Sequence, residues 1–342
     1  MTLKVCVVGA GDMGAHHVRA WSMFPDCKVV AVCDVDPSRA QRLAQEVNTA
    51  AYTDYRQAIR RGEVQVVSIC IPSFLHSEVA GFAAEQGCHL LSEKPLALTL
   101  QQGQAMIDAA RRHGVKLAVS LQYRDGWSAR CRQLIRQGAF GGPVIFRLAD
   151  VREVRPKLAM HRRDMNGGPI IDMACHYFDL VRFLTGCNPQ SVYARGHVYG
   201  RGKPRLKDIK DFALDAAVIT VNYEGGHILD FSVNWGMPEK FPGYWEEVLM
   251  GPDLLAQPKD GRLLLQYAEH QELWNVESPQ LPPQRRIADL MAAIREDRSP
   301  EITGEDALLA LRVSLAALES IATGQVVALC DNPTSVKEPV CV

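Results

Sequence analysis

The segment Gly9-Ala10-Gly11-Asp12-Met13-Gly14 constrains this chain more than any other. An apolar run at 4–8 leads into it, and a helical pattern from about 13 to 23 leads out. A G-x-G-x-x-G string alone is a weak signal, since a tight loop also collects glycines. Here a second valine-rich run at 28–34 ends in Asp34, twenty residues beyond Gly14. Strand, glycine loop, helix and distal acid in register form the fingerprint of a dinucleotide site. Gly9 permits the turn, Gly11 lets backbone approach a pyrophosphate, and Gly14 lets the helix pack closely on the strand. Asp12 and Met13 lie between them at the helix N-terminus, whose unpaired N–H groups and positive dipole end suit phosphate. An acid at position 34 accepts hydrogen bonds from ribose hydroxyls and repels a 2′-phosphate, so the expected cofactor is NAD rather than NADP.

The same alternation continues through the first third of the chain. Helical patterns at 37–47, 77–86 and 99–113 separate apolar runs at 64–71, 88–92 and 116–120. Short, continuously apolar strands between helices imply a parallel sheet covered on both faces. The expectation is an α/β protein with an N-terminal doubly wound Rossmann domain over 1–122. Beyond it the pattern changes to a helix at 128–137 and a strand at 144–153. Longer strand-like runs follow at 192–198, 211–223, 227–235 and 245–250, with Glu224-Gly225-Gly226 reading as a hairpin turn. These point to a second α/β domain over 123–330 on a large, mostly antiparallel sheet, finished by helices at 283–296 and 304–323. Residues 331–342 read as an extended tail.

Composition excludes several function classes. A chain of 342 residues is long for one core. Its formal net charge of −1 gives no general attraction to nucleic acid or anionic membrane. No apolar run approaches the ~18 residues of a membrane span. The ten cysteines are scattered without a C-x-x-C pair, which reads as reduced thiols in a cytoplasmic protein. The chain enters a strand almost at once, leaving no room for a signal peptide. No histidine or cysteine spacing suggests a metal site.

Two constellations carry possible chemistry. Ser92-Glu93-Lys94-Pro95 ends a buried strand, and open α/β sheets bind ligands at the carboxyl ends of their strands. Lys94 is therefore a catalytic candidate, against the plainer reading of a surface lysine before a turn proline. The second is Gly167-Gly168-Pro169, which opens a helix bearing Asp172 and His176. Four residues apart, they stack on one helical face, where a carboxylate can orient an imidazole. The plainer reading makes Asp172 a helix-dipole partner and His176 an ordinary neighbour.

The GAGDMG loop, Ile71-Pro72-Ser73 with His76, Glu93-Lys94-Pro95 and the Asp172/His176 helix occur here in one order and spacing. In these features the chain resembles the Gfo/Idh/MocA oxidoreductases. The resemblance implies a Rossmann domain followed by an α/β domain whose large open sheet forms the contact of a homo-oligomer, a dimer or tetramer. It implies Lys94 and His176 as acid/base groups, supported by Asp172, with Pro72, His76 and Glu93 lining the cofactor crevice. Gln122 and Tyr123 stand where many relatives carry Asn near the nicotinamide. The implied reaction is hydride transfer between nicotinamide and a hydroxyl-bearing carbon of a sugar, polyol or glycoside. His176 would take the hydroxyl proton and Lys94 would stabilise the alkoxide. Alternatives are a redox-neutral NAD-dependent glycosidase, a keto-sugar reductase and a non-catalytic nucleotide sensor.

One charge feature bears on the substrate. Arg124, Arg147, Arg152, Arg155, Lys157, His161, Arg162 and Arg163 crowd the stretch before the Asp172 helix. A solvated face or a subunit contact would explain them. Grouped near a substrate they would favour an anionic one, because a guanidinium fork binds oxyanions bidentately. Arg124, Arg152, Arg155 and Arg163 are substrate-binding candidates on this ground, alongside Tyr123, Asp172 and His176.

Overall fold

The computed structural model describes residues 2–61, 63–276 and 282–329, the Pro282 side chain excepted. They form two compact units, 2–121 with 282–308 and 122–276 with 309–329. The tail at 331–342, with Cys341, and Cys330 lie outside the described residues.

The first unit runs β1 (Leu3–Val8), α1 (Asp12–Ser22), β2 (Cys27–Cys33), α2 (Pro37–Glu46), β3 (Ala50–Tyr52), α3 (Tyr55–Arg61) and β4 (Val66–Ile69). It continues with α4 (His76–Glu85), β5 (His89–Ser92), α5 (Leu100–Arg112) and β6 (Leu117–Val119). All six strands are parallel, in the order β3-β2-β1-β4-β5-β6. The order reverses between β1 and β4, and ligands of doubly wound sheets bind at that switch point. Continuous apolar strands suit this sheet because helices cover both faces: Val5, Val7, Val32, Val66 and Leu91 lie in one buried cluster with Val18 and Trp21 of α1. Helix starts are marked locally. Asp36 accepts from the Ser38 and Arg39 amides ahead of Pro37, and Thr99 from the Gln102 amide. The short β3 and α3 carry too few apolar residues to show a period.

The second unit runs α6 (Trp127–Arg136), β7 (Ile145–Glu153), α7 (Pro169–Asp172), α8 (Ala174–Thr185), β8 (Pro189–His197), β9 (Ala216–Tyr223) and β10 (Ile228–Met237). Then follow β11 (Tyr244–Met250), β12 (Leu255–Lys259), β13 (Arg262–Gln266) and β14 (Gln271–Asn275). Helices α9 (Pro282–Arg295) and α10 (Gly304–Thr323) and strand β15 (Val327–Ala328) end the described chain. Nine strands form a sheet in the order β14-β13-β12-β11-β7-β10-β9-β8-β15. It is antiparallel except for the β7–β10 pair. The Glu224-Gly225-Gly226 turn joins β9 and β10 as a hairpin.

Beyond β3 and α3, the structure departs from the sequence reading at α9, β9 and β12 to β14. Helix α9 groups with the first unit, where Ile287, Leu290 and Met291 join the core around Trp21. Strand β9 begins at Ala216 rather than 211, because Asp215 turns inward to accept from the Tyr199 and Gly200 amides. Strands β12 to β14 were not legible, being short and separated by polar turns.

Candidate active site

The glycine loop behaves as three different constraints. Gly9 has φ +104°, and a Cβ there would lie 2.3 Å from the Cys70 carbonyl oxygen. A Cβ on Gly14 would lie 1.8 Å from the Gly9 oxygen. Gly11, by contrast, has an ordinary extended backbone, and a Cβ on it would meet nothing within 4 Å. Nothing among the described residues demands glycine at position 11, which fits a place kept clear for a ligand. Gly11 is also the N-cap of α1 and offers no side-chain cap, leaving first-turn amides available to phosphate. Asp12 is exposed and Met13 half-buried beside it.

Asp34 sits at the end of β2 with its carboxylate fixed by backbone. One oxygen accepts from the Ala10 amide at 2.7 Å, the other from the Asp36 amide at 2.9 Å. A carboxylate has about four acceptor positions, so two remain for ribose hydroxyls. These residues fit an NAD dinucleotide.

Of the three residues expected to line the cofactor crevice, His76 and Glu93 are buried and Pro72 is half-buried. His76 is fully buried, its Nε2 2.9 Å from the Ile71 oxygen and its Nδ1 3.2 Å from the Leu96 oxygen. Burial lowers its pKa, and a neutral ring can donate to only one of these two carbonyls at a time. Glu93 is also turned inward, 7% exposed. Pro72 is half-buried and precedes a short 3-10 turn at Ser73–Leu75.

The partner of Glu93 is His17, which sequence reasoning missed. His17 Nε2 donates to Glu93 Oε1 at 3.0 Å, and its Nδ1 lies 2.7 Å from Ser68 Oγ, which also accepts from Trp21 Nε1 at 3.2 Å. Burial opposes a charged imidazole, but Cys70 and Glu93 beside it outweigh that and raise His17 to about 10. Glu93 is correspondingly lowered against its own burial, by His17 and Lys94. The other Glu93 oxygen accepts from the Lys94 amide at 3.3 Å. An ion pair is thus buried directly beneath the half-buried Lys94, which follows β5 and is joined to Pro95 by a cis peptide bond. The available signal was a histidine on the inward face of α1, legible only once Ser68 and Glu93 are known to face it.

In the second unit the expected single helix is broken. Asp172 ends α7, Met173 departs from helical geometry (φ −111°, ψ −45°), and His176 lies in the first turn of α8. The simple four-residue stacking therefore does not apply, although both side chains are buried. His176 Nδ1 accepts from the Gln122 backbone N–H at 3.2 Å. Gln122 contributes this amide, and Tyr123, at φ +73°, packs its ring 5.5 Å from His176 and 5.3 Å from Tyr177. A non-glycine residue at positive φ is strained and marks a position over-determined by its surroundings.

The arginines are mostly committed to carboxylates of the chain itself. Arg124 forms a buried two-point pair with Asp179, which makes it structural. Arg152 grips Asp150 through two bonds of 2.6 Å, and Tyr177 donates to the same carboxylate. Arg147 pairs with Glu246, Arg162 with Asp164 and Arg163 with Asp211. The expectation that this whole stretch presents positive charge to a ligand is corrected accordingly: only part of it is uncompensated.

A groove of about 360 Å³ opens within this unit, lined by Tyr123, Asp125, Trp127, Glu247 and the β12–β13 turn. Glu247 was not a sequence candidate. Burial, and Asp150 nearby, raise its carboxyl to about 7. Among the described residues no group of three or more His, Cys, Asp or Glu side chains could hold a metal. No helix among them is long and apolar enough to cross a membrane, and the eight described cysteines are free thiols.

A doubly wound sheet with this glycine loop, followed by a unit on an open mixed sheet, defines a two-domain, NAD-binding oxidoreductase. The chain belongs to the Gfo/Idh/MocA oxidoreductase family: residues 3–121 match the model described as oxidoreductase family, NAD-binding Rossmann fold, and residues 128–248 match the GFO/IDH/MocA C-terminal domain. The 1,5-anhydro-D-fructose reductase of Ensifer adhaerens is 27% identical over 328 residues, covering 93% of this chain and 96% of the relative. The D-glucoside 3-dehydrogenase of Escherichia coli (strain K12) is 31% identical over 190 residues, 54% of each chain. Among solved structures, levoglucosan dehydrogenase in complex with NADH and levoglucosan superposes with a TM-score of 0.85. At 21% identity, covering 96% of this chain and 100% of that one, it attests the fold alone.

Proposed function

We propose that this protein is an NAD-dependent dehydrogenase of a sugar, polyol or glycoside, with Lys94 and His176 managing the proton and Asp172 in support. NAD supplies the hydride acceptor when bound. The reading rests most on the hydrogen bond from the Gln122 amide to His176 Nδ1. With Nδ1 accepting, a neutral imidazole carries its proton on Nε2, so His176 meets the substrate oxygen as a donor. That reverses the roles expected from the sequence: His176 polarises and holds the oxygen, and Lys94 exchanges the proton. Names of relatives such as the anhydrofructose reductase and the glucoside dehydrogenase support a carbohydrate substrate.

Preference for NAD over NADP is part of this proposal, supported by the amide-fixed Asp34 carboxylate. So is a homo-oligomer built on the nine-stranded sheet. Ile145, Tyr193, Val218 and Tyr244 are exposed, and the strand register puts them on one face of it. Exposed apolar patches of this kind mark interaction surfaces.

Following NADH formation across a panel of sugars, polyols, uronates and glycosides tests the activity. NAD reduction with at least one class, lost in Lys94→Ala, is the expected result. Cleavage of a glycoside without net NADH would replace the dehydrogenase by the redox-neutral alternative. No turnover of any compound by protein that binds NAD would overturn both.

A further inference from the structure

Arg155 differs from its basic neighbours. No carboxylate of the described residues lies within ion-pair distance of it; burial and the like charge of Arg152 lower its pKa, and the more distant Asp150, Asp172 and Glu153 oppose them. Its guanidinium lies over the Trp235 ring, 5.8 Å from the centroid, and its Nε is buried without a hydrogen-bond partner. The Arg155 backbone N–H donates to His161 Nε2 at 2.8 Å. Burial, with Arg155 and Arg205 adding to it, pushes His161 down to about 4, so the ring is neutral. Because Nε2 accepts, the ring proton sits on Nδ1, and that N–H is also buried and unpartnered. Trp235 Nε1–H is a third such group. His161 and Trp235 are each 1% exposed, with ring centroids 6.4 Å apart.

Buried polar groups are almost always satisfied, so each orphan needs a reason. These three come from side chains packed on one another, and all are donors: an arginine and an indole cannot accept, and the imidazole has spent its acceptor. A half-buried cation without an ion-pair partner, with two neutral donors packed on it, calls for an anionic acceptor. Arg152 is already paired with Asp150, so Arg155 is the cation available to such a ligand.

We propose that Arg155, backed by His161 and Trp235, forms an oxyanion subsite, and that the substrate is a sugar acid carrying one carboxylate or sulfonate. This rests on the dehydrogenase reading above and narrows its substrate class.

The test uses the full chain with NAD. It compares glucose, glucuronate, 6-sulfo-6-deoxyglucose and glucose 6-phosphate in the native protein, Arg155→Gln and Arg155→Lys. A singly charged compound is expected to give the highest kcat/KM, the better of uronate and sulfonate identifying the source of the anion. Its advantage over glucose should fall about 10- to 100-fold in Arg155→Gln, mostly through KM, as loss of a charge-assisted hydrogen bond implies. Arg155→Lys should recover part of it. Equal kcat/KM for glucose and both monoanions would overturn the subsite and leave the dehydrogenase reading intact. If no sugar reduces NAD, that reading fails, and glucuronate is titrated calorimetrically into the NADH-loaded protein. Binding lost in Arg155→Gln would still support the subsite; no binding to the native protein, or equal binding to both, would overturn it. A partner to the three donors that proves in a crystal structure to be water, with glucuronate bound elsewhere, would also overturn it.

Discussion

In the first unit, one methyl group added at Gly14 would lie 1.8 Å from a carbonyl oxygen. In the second, the candidate groups are held mostly by side chains that could be exchanged one at a time, Asp172 by Asn166, His176 by Tyr123 and Arg152 by Asp150, with the Gln122 backbone amide as the exception. The first site is constrained chiefly by backbone sterics and the second chiefly by side-chain packing. Backbone geometry leaves few solutions, so a glycine pattern can announce it. Side-chain sites leave many, and the second unit is where members of one fold can diverge in substrate without altering the first.

This contrast can be broken most sharply at the glycines. Gly14→Ala should destabilise the first unit by more than ~3 kcal/mol, beyond ordinary overpacking, because the obstacle is backbone, and NAD binding should vanish with it. Gly11→Ala should leave the melting temperature nearly unchanged, since a Cβ there meets no neighbour, yet weaken NAD by tenfold or more (~1.4 kcal/mol). Thermal unfolding with calorimetry reads both quantities. Unaltered NAD affinity in Gly11→Ala would show that the loop does not carry the pyrophosphate.

Next in size are the groups proposed for proton transfer. Lys94→Ala and His176→Ala should each lose ~10²–10⁴ in kcat on an identified substrate while NAD affinity stays within a few-fold. Asp172→Asn should be milder. A variant at Lys94 with native turnover would remove that residue from the chemistry.

Asp34→Ala should have a smaller effect, narrowing the ratio of NAD to NADP affinity by about tenfold through loss of a charged acceptor. Equal affinities in the native protein would contradict the assignment of that carboxylate.

The pair beneath Lys94 gives a pH-dependent prediction. His17 is raised from 6.5 to about 10, so its contribution to stability is complete below 6.5 and lost as pH rises toward 10. Glu93 is lowered from 4.5, so its contribution is complete above 4.5 and lost as pH falls below it. His17→Gln should therefore melt furthest below the native protein between pH 4.5 and 6.5, the gap closing toward pH 10. A gap independent of pH would mean that packing, not charge, is what His17 supplies.

How much was legible follows the same division. The parallel sheet showed in the sequence because buried strands between helices read as unbroken apolar runs, and the glycine loop because its spacing is fixed by sterics. The pair at Asp172 and His176 was found, but its geometry was not: nothing in Ile-Asp-Met-Ala signals the break at Met173. The arginines were visible as charge, whereas their pairing depended on strands and loops meeting in space, as Arg163 meets Asp211 and Arg124 meets Asp179. Glu247 carried no local pattern and His17 only its place on the inward face of α1, since each acquires its character from what folding buries beside it.

The central claim is hydride transfer from a substrate carbon to NAD under the control of Lys94. It is tested most directly by supplying NAD and a sugar substrate deuterated at its carbinol carbons, then examining the recovered nicotinamide by mass spectrometry. The account predicts deuterium in the NADH formed, at a rate lowered at least 100-fold in Lys94→Ala. Product formed with no deuterium in the nicotinamide, or equal transfer by the Lys94→Ala variant, would contradict it.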